Sequence, residues 1–123
     1  MKPKIDNKEF HTEVMMAQET GAPTHRLLDI FELLVTRYAN FGEWNKSKYD
    51  DHRLHMIEAA FEELSTNSWK HFRPKDSTSA YSGECFKYMA TIAFCEFRKL
   101  TKHIPWTGRT ILDELKQNKY RIE

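Results

Sequence analysis

Residues 84–103 read Glu84-Cys85-Phe86-Lys87-Tyr88-Met89-Ala90-Thr91-Ile92-Ala93-Phe94-Cys95-Glu96-Phe97-Arg98-Lys99-Leu100-Thr101-Lys102-His103. Phe86, Met89, Ala90, Ala93, Phe94, Phe97 and Leu100 recur in it at spacings of three and four, the period of one buried face of an α-helix. The stretch predicts the longest helix of the chain, with an apolar stripe that other helices must cover. Cys85 and Cys95 stand ten residues apart in it, about 15 Å by helical rise, which is too far to pair. Both read as reduced core thiols. No second Cys or His stands at the spacing of a structural zinc site.

Upstream, Arg73 to Gly83 is dense in turn formers and poor in apolar periodicity, so it reads as a loop. Before that loop an amphipathic segment begins at Asp50-Asp51, acidic residues suited to a helix N-terminus. It runs through Met56, Ile57, Ala60, Phe61 and Leu64, and Thr66-Asn67-Ser68 can end it. Thr24 can cap an earlier helix whose buried face carries Leu27, Phe31, Leu34, Val35 and Tyr38 and which ends near Asn40-Phe41-Gly42. A further helix is expected around Lys8–Ala17. Downstream, Pro105 and Gly108 break the chain, and Thr110 to Lys119 reads as a short last helix with Ile111, Leu112 and Leu115 on its apolar side. With no strand pattern or repeat, the expected fold is all-α: a single domain over residues 1–123, folded as a compact bundle of four to five helices.

The composition agrees with one folded domain: 123 residues, 40% hydrophobic, 13% aromatic and 30% charged supply a core and exclude a disordered chain. No apolar run reaches the roughly 18 residues of a membrane span, and Met1-Lys2-Pro3-Lys4 leads into polar sequence rather than a signal-peptide core. A cytoplasmic protein without a membrane partner is the expectation. The net charge of +1 conceals an asymmetry. Residues 1–66 hold 8 Lys and Arg against 12 Asp and Glu, and residues 67–123 hold 11 against 6, so the halves carry −4 and +5. Such a split suits an acidic face for a basic partner and a basic face for a polyanion; chance unevenness of a solvated surface is the alternative.

Two constellations could carry chemistry. His52, His55, Glu58, Glu62 and Glu63 lie within about three turns of one helix, and the spacing puts His55, Glu58 and Glu62 on one side. A metal-dependent nucleotide hydrolase would need a second acidic cluster on a neighbouring helix, where only Glu84 and Glu96 stand, and the Glu-x-x-His pairs of di-iron bundles are absent. No phosphate loop or nucleophile elbow occurs. The expectation is no catalytic site, no metal and no cofactor, with the acidic face solvated or facing a partner. The second constellation is aromatic and basic: Trp69, His71, Phe72 and Arg73 before the loop, then Phe86, Lys87, Tyr88, Arg98, Lys99, Lys102 and Trp106. Rings stack on unpaired bases and flanking cations hold phosphates, so the set suits single-stranded DNA. Phe86, Phe94 and Phe97 also share the helical stripe, which favours the core for them, whereas Lys87, Tyr88 and Trp106 lie off it.

Five segments in order carry a resemblance: Arg37-Tyr38-Ala39-Asn40-Phe41-Gly42-Glu43-Trp44, Met56-Ile57-Glu58-Ala59-Ala60-Phe61, Trp69-Lys70-His71-Phe72-Arg73-Pro74-Lys75, Phe86-Lys87-Tyr88 and Ala93-Phe94-Cys95-Glu96-Phe97-Arg98-Lys99. Together, over about residues 31–102, they resemble region 2 of bacterial-type sigma factors, most closely the late-transcription sigma factors of T-even-type phages and their cyanophage relatives. The resemblance implies a transcription initiation factor in the cytoplasm of an infected bacterium. It implies docking on the clamp helices of the largest subunit of core RNA polymerase through Asp51, His55, Glu58, Glu62 and Glu63. It further implies contact with an AT-rich, minus-ten-like element of late promoters through Trp69, Arg73, Phe86, Lys87, Tyr88, Arg98, Lys99, Lys102 and Trp106.

The chain departs from the family in three places. The loop between Phe72 and Tyr88 is about five residues longer. Thr91 and Ile92 stand where housekeeping members carry tandem tryptophans. The ending Asn118-Lys119-Tyr120-Arg121-Ile122-Glu123 differs from the acidic-hydrophobic tail that grips a sliding clamp, which bears on any clamp or phage co-activator as partner. A polymerase-binding regulator that mimics sigma docking without reading DNA is the alternative of a different class.

Overall fold

The computed structural model describes residues 5–75 and 82–104. Helix α1 (Asn7–Thr20) starts where the Asp6 carboxylate accepts the backbone N–H of Lys8 at 2.9 Å and of Glu9 at 3.3 Å, satisfying donors that a helix start leaves open. It ends at Gly21, whose φ of 85° lets its N–H reach the Ala17 carbonyl, a left-handed turn that side chains disfavour. Helix α2 (His25–Ala39) is capped by Thr24, whose hydroxyl accepts the Leu27 N–H at 3.1 Å. The Thr24 hydroxyl also donates to the Glu13 carboxylate, and Arg26 grips Glu9 with two nitrogens at 2.7 and 3.0 Å, so α1 folds back on α2.

After α2 the chain makes two 3-10 turns, Gly42–Asn45 and Ser47–His52, before α3 (Arg53–Glu63). The expected end of this segment at Thr66-Asn67-Ser68 is corrected. The chain continues through a π turn, Leu64–Ser68, into the single turn α4 (Trp69–His71). The hydroxyls there bond backward instead of breaking the helix: Thr66 to the Glu62 carbonyl at 2.6 Å and Ser68 to that of Leu64 at 2.7 Å, filling carbonyls that the widened turn leaves open. The helix stops at Phe72, which turns extended just before Pro74.

Helix α5 (Glu84–Thr101) matches the expected long helix, and α1 runs three residues beyond Ala17. The architecture is an all-helical bundle without a strand among the described residues. Helix α3 packs most extensively on α5, and α1 and α2 close the remaining sides. Phe10, Leu27, Phe31, Leu34, Tyr38, Trp44, Tyr49, Met56, Phe94 and Phe97 share one core. Tyr38 meets Phe94 edge-on at 4.8 Å, and Trp44 meets Phe97 at 5.4 Å.

Two assignments on α5 are corrected. Leu100 remains 37% exposed while Thr101 is fully buried, because the buried arc rotates at the helix end and Thr101 donates its hydroxyl to the Phe97 carbonyl at 2.8 Å. Cys95 is exposed on the outer face, whereas Cys85 is a core thiol whose pKa burial pushes upward. No helix among the described residues is long and apolar enough to cross a membrane. The expected helix at residues 110–119, Trp106 and the middle of the 73–83 loop lie outside the described residues.

Candidate functional site

The outer face of α3 is acidic with an apolar centre. His55, Glu58 and Glu62 are exposed in line, Asp51 is exposed on the preceding 3-10 turn, and Glu63 is half-buried, accepting from the Asn67 amide at 3.2 Å. Leu54 projects among them with 68% of its surface exposed, flanked by half-buried Ile57 and Phe61. Among the described residues, Asp51, Glu58 and Glu62 form no ion pair, and no three His, Cys, Asp or Glu side chains converge on a point that could hold a metal ion. Sequence periodicity flagged the carboxylates but missed Leu54. Its one signal is an apolar residue off the Met56/Ala60 stripe.

The outer face of α5 is basic. Lys87 and Lys99 stand on one stripe with Thr91 and Cys95 between them, and Lys102 extends it. Lys99 pairs with Glu96 at 2.8 Å, a hydrogen bond that raises the ammonium pKa. Arg98 lies half-buried beside the stripe and donates Nη1 to the carbonyls of Thr101 at 3.3 Å and Ile104 at 3.2 Å. It thus closes the end of α5, a use of cations common where helix carbonyls are left open.

Two of the expected base-stacking rings are not on the surface. Phe86 is 2% exposed, edge-on to Phe10 at 6.5 Å and tilted against Tyr38 at 6.0 Å. Trp69 is 5% exposed and donates its indole N–H to the Ser65 carbonyl at 2.8 Å. Both are covered for the same reason: α1, which lies outside the sigma-like stretch, packs over α4 and the start of α5. Tyr88 is half-buried with its ring 5.4 Å from that of Phe72, so it alone of the described aromatic candidates keeps a share of open surface.

A second arrangement joins α1 to the pre-loop segment. The Gln18 amide donates to the carbonyls of Trp69 at 2.8 Å and Phe72 at 2.7 Å. Beside it Lys70 and Arg73 are exposed, and Gln18, Trp69, Lys70 and Arg73 line an open groove of about 320 Å³. Gln18 lay one residue beyond the expected end of the first helix and was not foreseen. No known protein family, curated protein or solved structure matches the chain.

Proposed function

We propose that the chain is a sigma-like initiation subunit that docks on core RNA polymerase through the outer face of α3 and meets AT-rich promoter DNA with the outer face of α5. The observation that carries this reading is the pairing of an acidic, Leu54-centred face with a lysine-bearing face on two helices packed against each other. The five-segment resemblance supplies the partners.

The energetics divide the labour. Rim ion pairs from Asp51, Glu58 and Glu62 contribute about 0.2–1 kcal/mol each in water and orient the partner. Covering Leu54 contributes roughly 1.5–3 kcal/mol and makes it the anchor of the docking face. On the DNA side, Lys87 and Lys102 neutralise phosphates and release counterions, which supplies affinity without sequence choice. Extruding a base costs a few kcal/mol and one aromatic stack returns about 1–3, so in this conformation Tyr88 carries the stacking that Phe86 and Trp69 cannot. The burial of those two rings favours the second reading, a polymerase-binding regulator that does not read DNA.

The test is capture of core RNA polymerase followed by transcription from an AT-rich late-type promoter. Leu54→Ala, and Glu58→Lys with Glu62→Lys, should each weaken capture by tenfold or more while helical circular dichroism stays unchanged. Capture that the variants do not alter rejects the docking face. Capture without promoter-specific transcripts selects the regulator.

A further inference from the structure

The groove between α1 and α4 collects positive charge that has no acidic partner among the described residues, where a helix end should repel anions. The carbonyls at the end of α4 are already engaged: those of Trp69 and Phe72 accept the Gln18 amide, and those of Lys70 and Phe72 accept Arg73 Nη1 at 3.0 and 2.9 Å. Their negative ends are thereby neutralised. Arg73 spends only Nη1 on these bonds. Among the described residues the Nε and Nη2 edge of its guanidinium has no partner, and this is the edge whose two parallel N–H groups match two oxygens of one oxyanion. Lys70 holds its ammonium 5.5 Å from the centre of the Trp69 ring, a cation–π contact that fixes the side chain at the groove wall. Neither Lys70 nor Arg73 has an acidic partner within ion-pair distance among the described residues.

We infer that this groove seats a phosphodiester group of a single-stranded nucleic acid, with Arg73 chelating two phosphate oxygens and Lys70 supplying the second charge. The inference rests on the nucleic-acid reading proposed above and adds to it a subsite built by α1. A polar, open volume of about 320 Å³ suits a phosphate and its flanking sugars better than an apolar ligand. The buried ring of Phe72, the residue before Arg73, packs against half-buried Tyr88 at 5.4 Å, and Lys87, beside Tyr88, is exposed and without an ion pair among the described residues. A strand held by Arg73, Tyr88 and Lys87 would meet a phosphate contact, a ring and a phosphate contact, the combination used in sequence-tolerant single-strand binding.

The test is a heteronuclear NMR titration of the full chain with two probes, inorganic phosphate and a six-residue oligothymidylate. The oligothymidylate should shift the Gln18 side-chain amide, the Trp69 indole N–H and Arg73 Nε–H. Lys70→Gln and Arg73→Gln should each weaken its binding roughly tenfold, the size of one lost charge-assisted contact. Arg73→Lys, which keeps the charge and loses the fork, should fall between parent and Arg73→Gln. Shifts confined to the Lys87–Lys102 face would overturn the groove and leave nucleic-acid binding standing. Shifts at the groove with inorganic phosphate alone would overturn the phosphodiester assignment. No shift anywhere would overturn both the groove and the reading on which it rests.

Discussion

The two ends of α2 lead into regions that treat charge in opposite ways. Beyond its C-terminal end, the Glu43 side chain is 2% exposed and accepts Lys46 at 2.7 Å, Lys48 at 3.0 Å and the Tyr49 hydroxyl at 3.0 Å. Arg53 closes the same end by donating to the carbonyls of Ala39, Trp44 and Lys46 and pairing with Asp50 at 2.6 Å. Near its N-terminal end, around Gln18, Trp69, Lys70 and Arg73, the backbone is equally well bonded, but the cations have no counter-ion among the described residues. A buried charge must find partners or the fold loses several kcal/mol; an exposed one can wait for a ligand. The sealed end is therefore where stability is stored, and the open end is where binding is available.

The sharpest break in this comparison is Phe97→Ala, which should cost about 3–5 kcal/mol in urea unfolding, because the ring is fully buried against Trp44 and its loss leaves a cavity. A parent-like midpoint would dismantle the sealed-end account. Next, Glu43→Gln should cost about 1–2 kcal/mol, since the buried Tyr49 hydroxyl loses a charged acceptor while the two lysines, 50% and 28% exposed, return to water. Glu62→Gln, on the exposed face, should stay within about 0.5 kcal/mol, and equal costs for the two would erase the contrast between buried and exposed carboxylates.

The alkaline limb of stability sharpens the comparison further. Burial, then the Glu43 carboxylate, raises the Tyr49 pKa from 10.0 to about 12. The folded state holds this proton more tightly than the unfolded chain, so the contribution is complete below pH 10 and is lost as pH rises from 10 to 12, by about 2–3 kcal/mol. Tyr49→Phe should remove that loss, and should take one late-ionising tyrosine out of the absorbance titration of the parent. At the open end, Gln18→Ala should cost only about 1–2 kcal/mol, for two hydrogen bonds to half-buried carbonyls, yet should loosen the groove and diminish the oligothymidylate shifts at Arg73. Full stability together with unchanged shifts would show that α1 does not shape the groove.

The periodicity of Leu27, Phe31, Leu34 and Tyr38, and of Met89, Ala93 and Phe97, was sufficient for α2 and α5, and Thr24 was legible as a cap, because each depends on neighbours within one or two turns. The charged faces of α3 and α5 were legible for the same reason. The fate of Trp69 was not. The α5 stripe favoured the core for Phe86 against the resemblance, whereas no local pattern did so for Trp69, and the packing of α1, whose Phe10 and Gln18 are distant in sequence, shows what covers them. Glu43 is a similar case: a carboxylate reads as surface until Lys46, Lys48 and Tyr49 close around it. Thr66-Asn67-Ser68 reads as a stop until its hydroxyls take helix carbonyls. Arg98 reads as a phosphate contact until it closes the end of α5. Local sequence determined which face of each helix is apolar or charged; tertiary structure decided which element covers that face, since burial is a property of contacts between segments far apart in the chain.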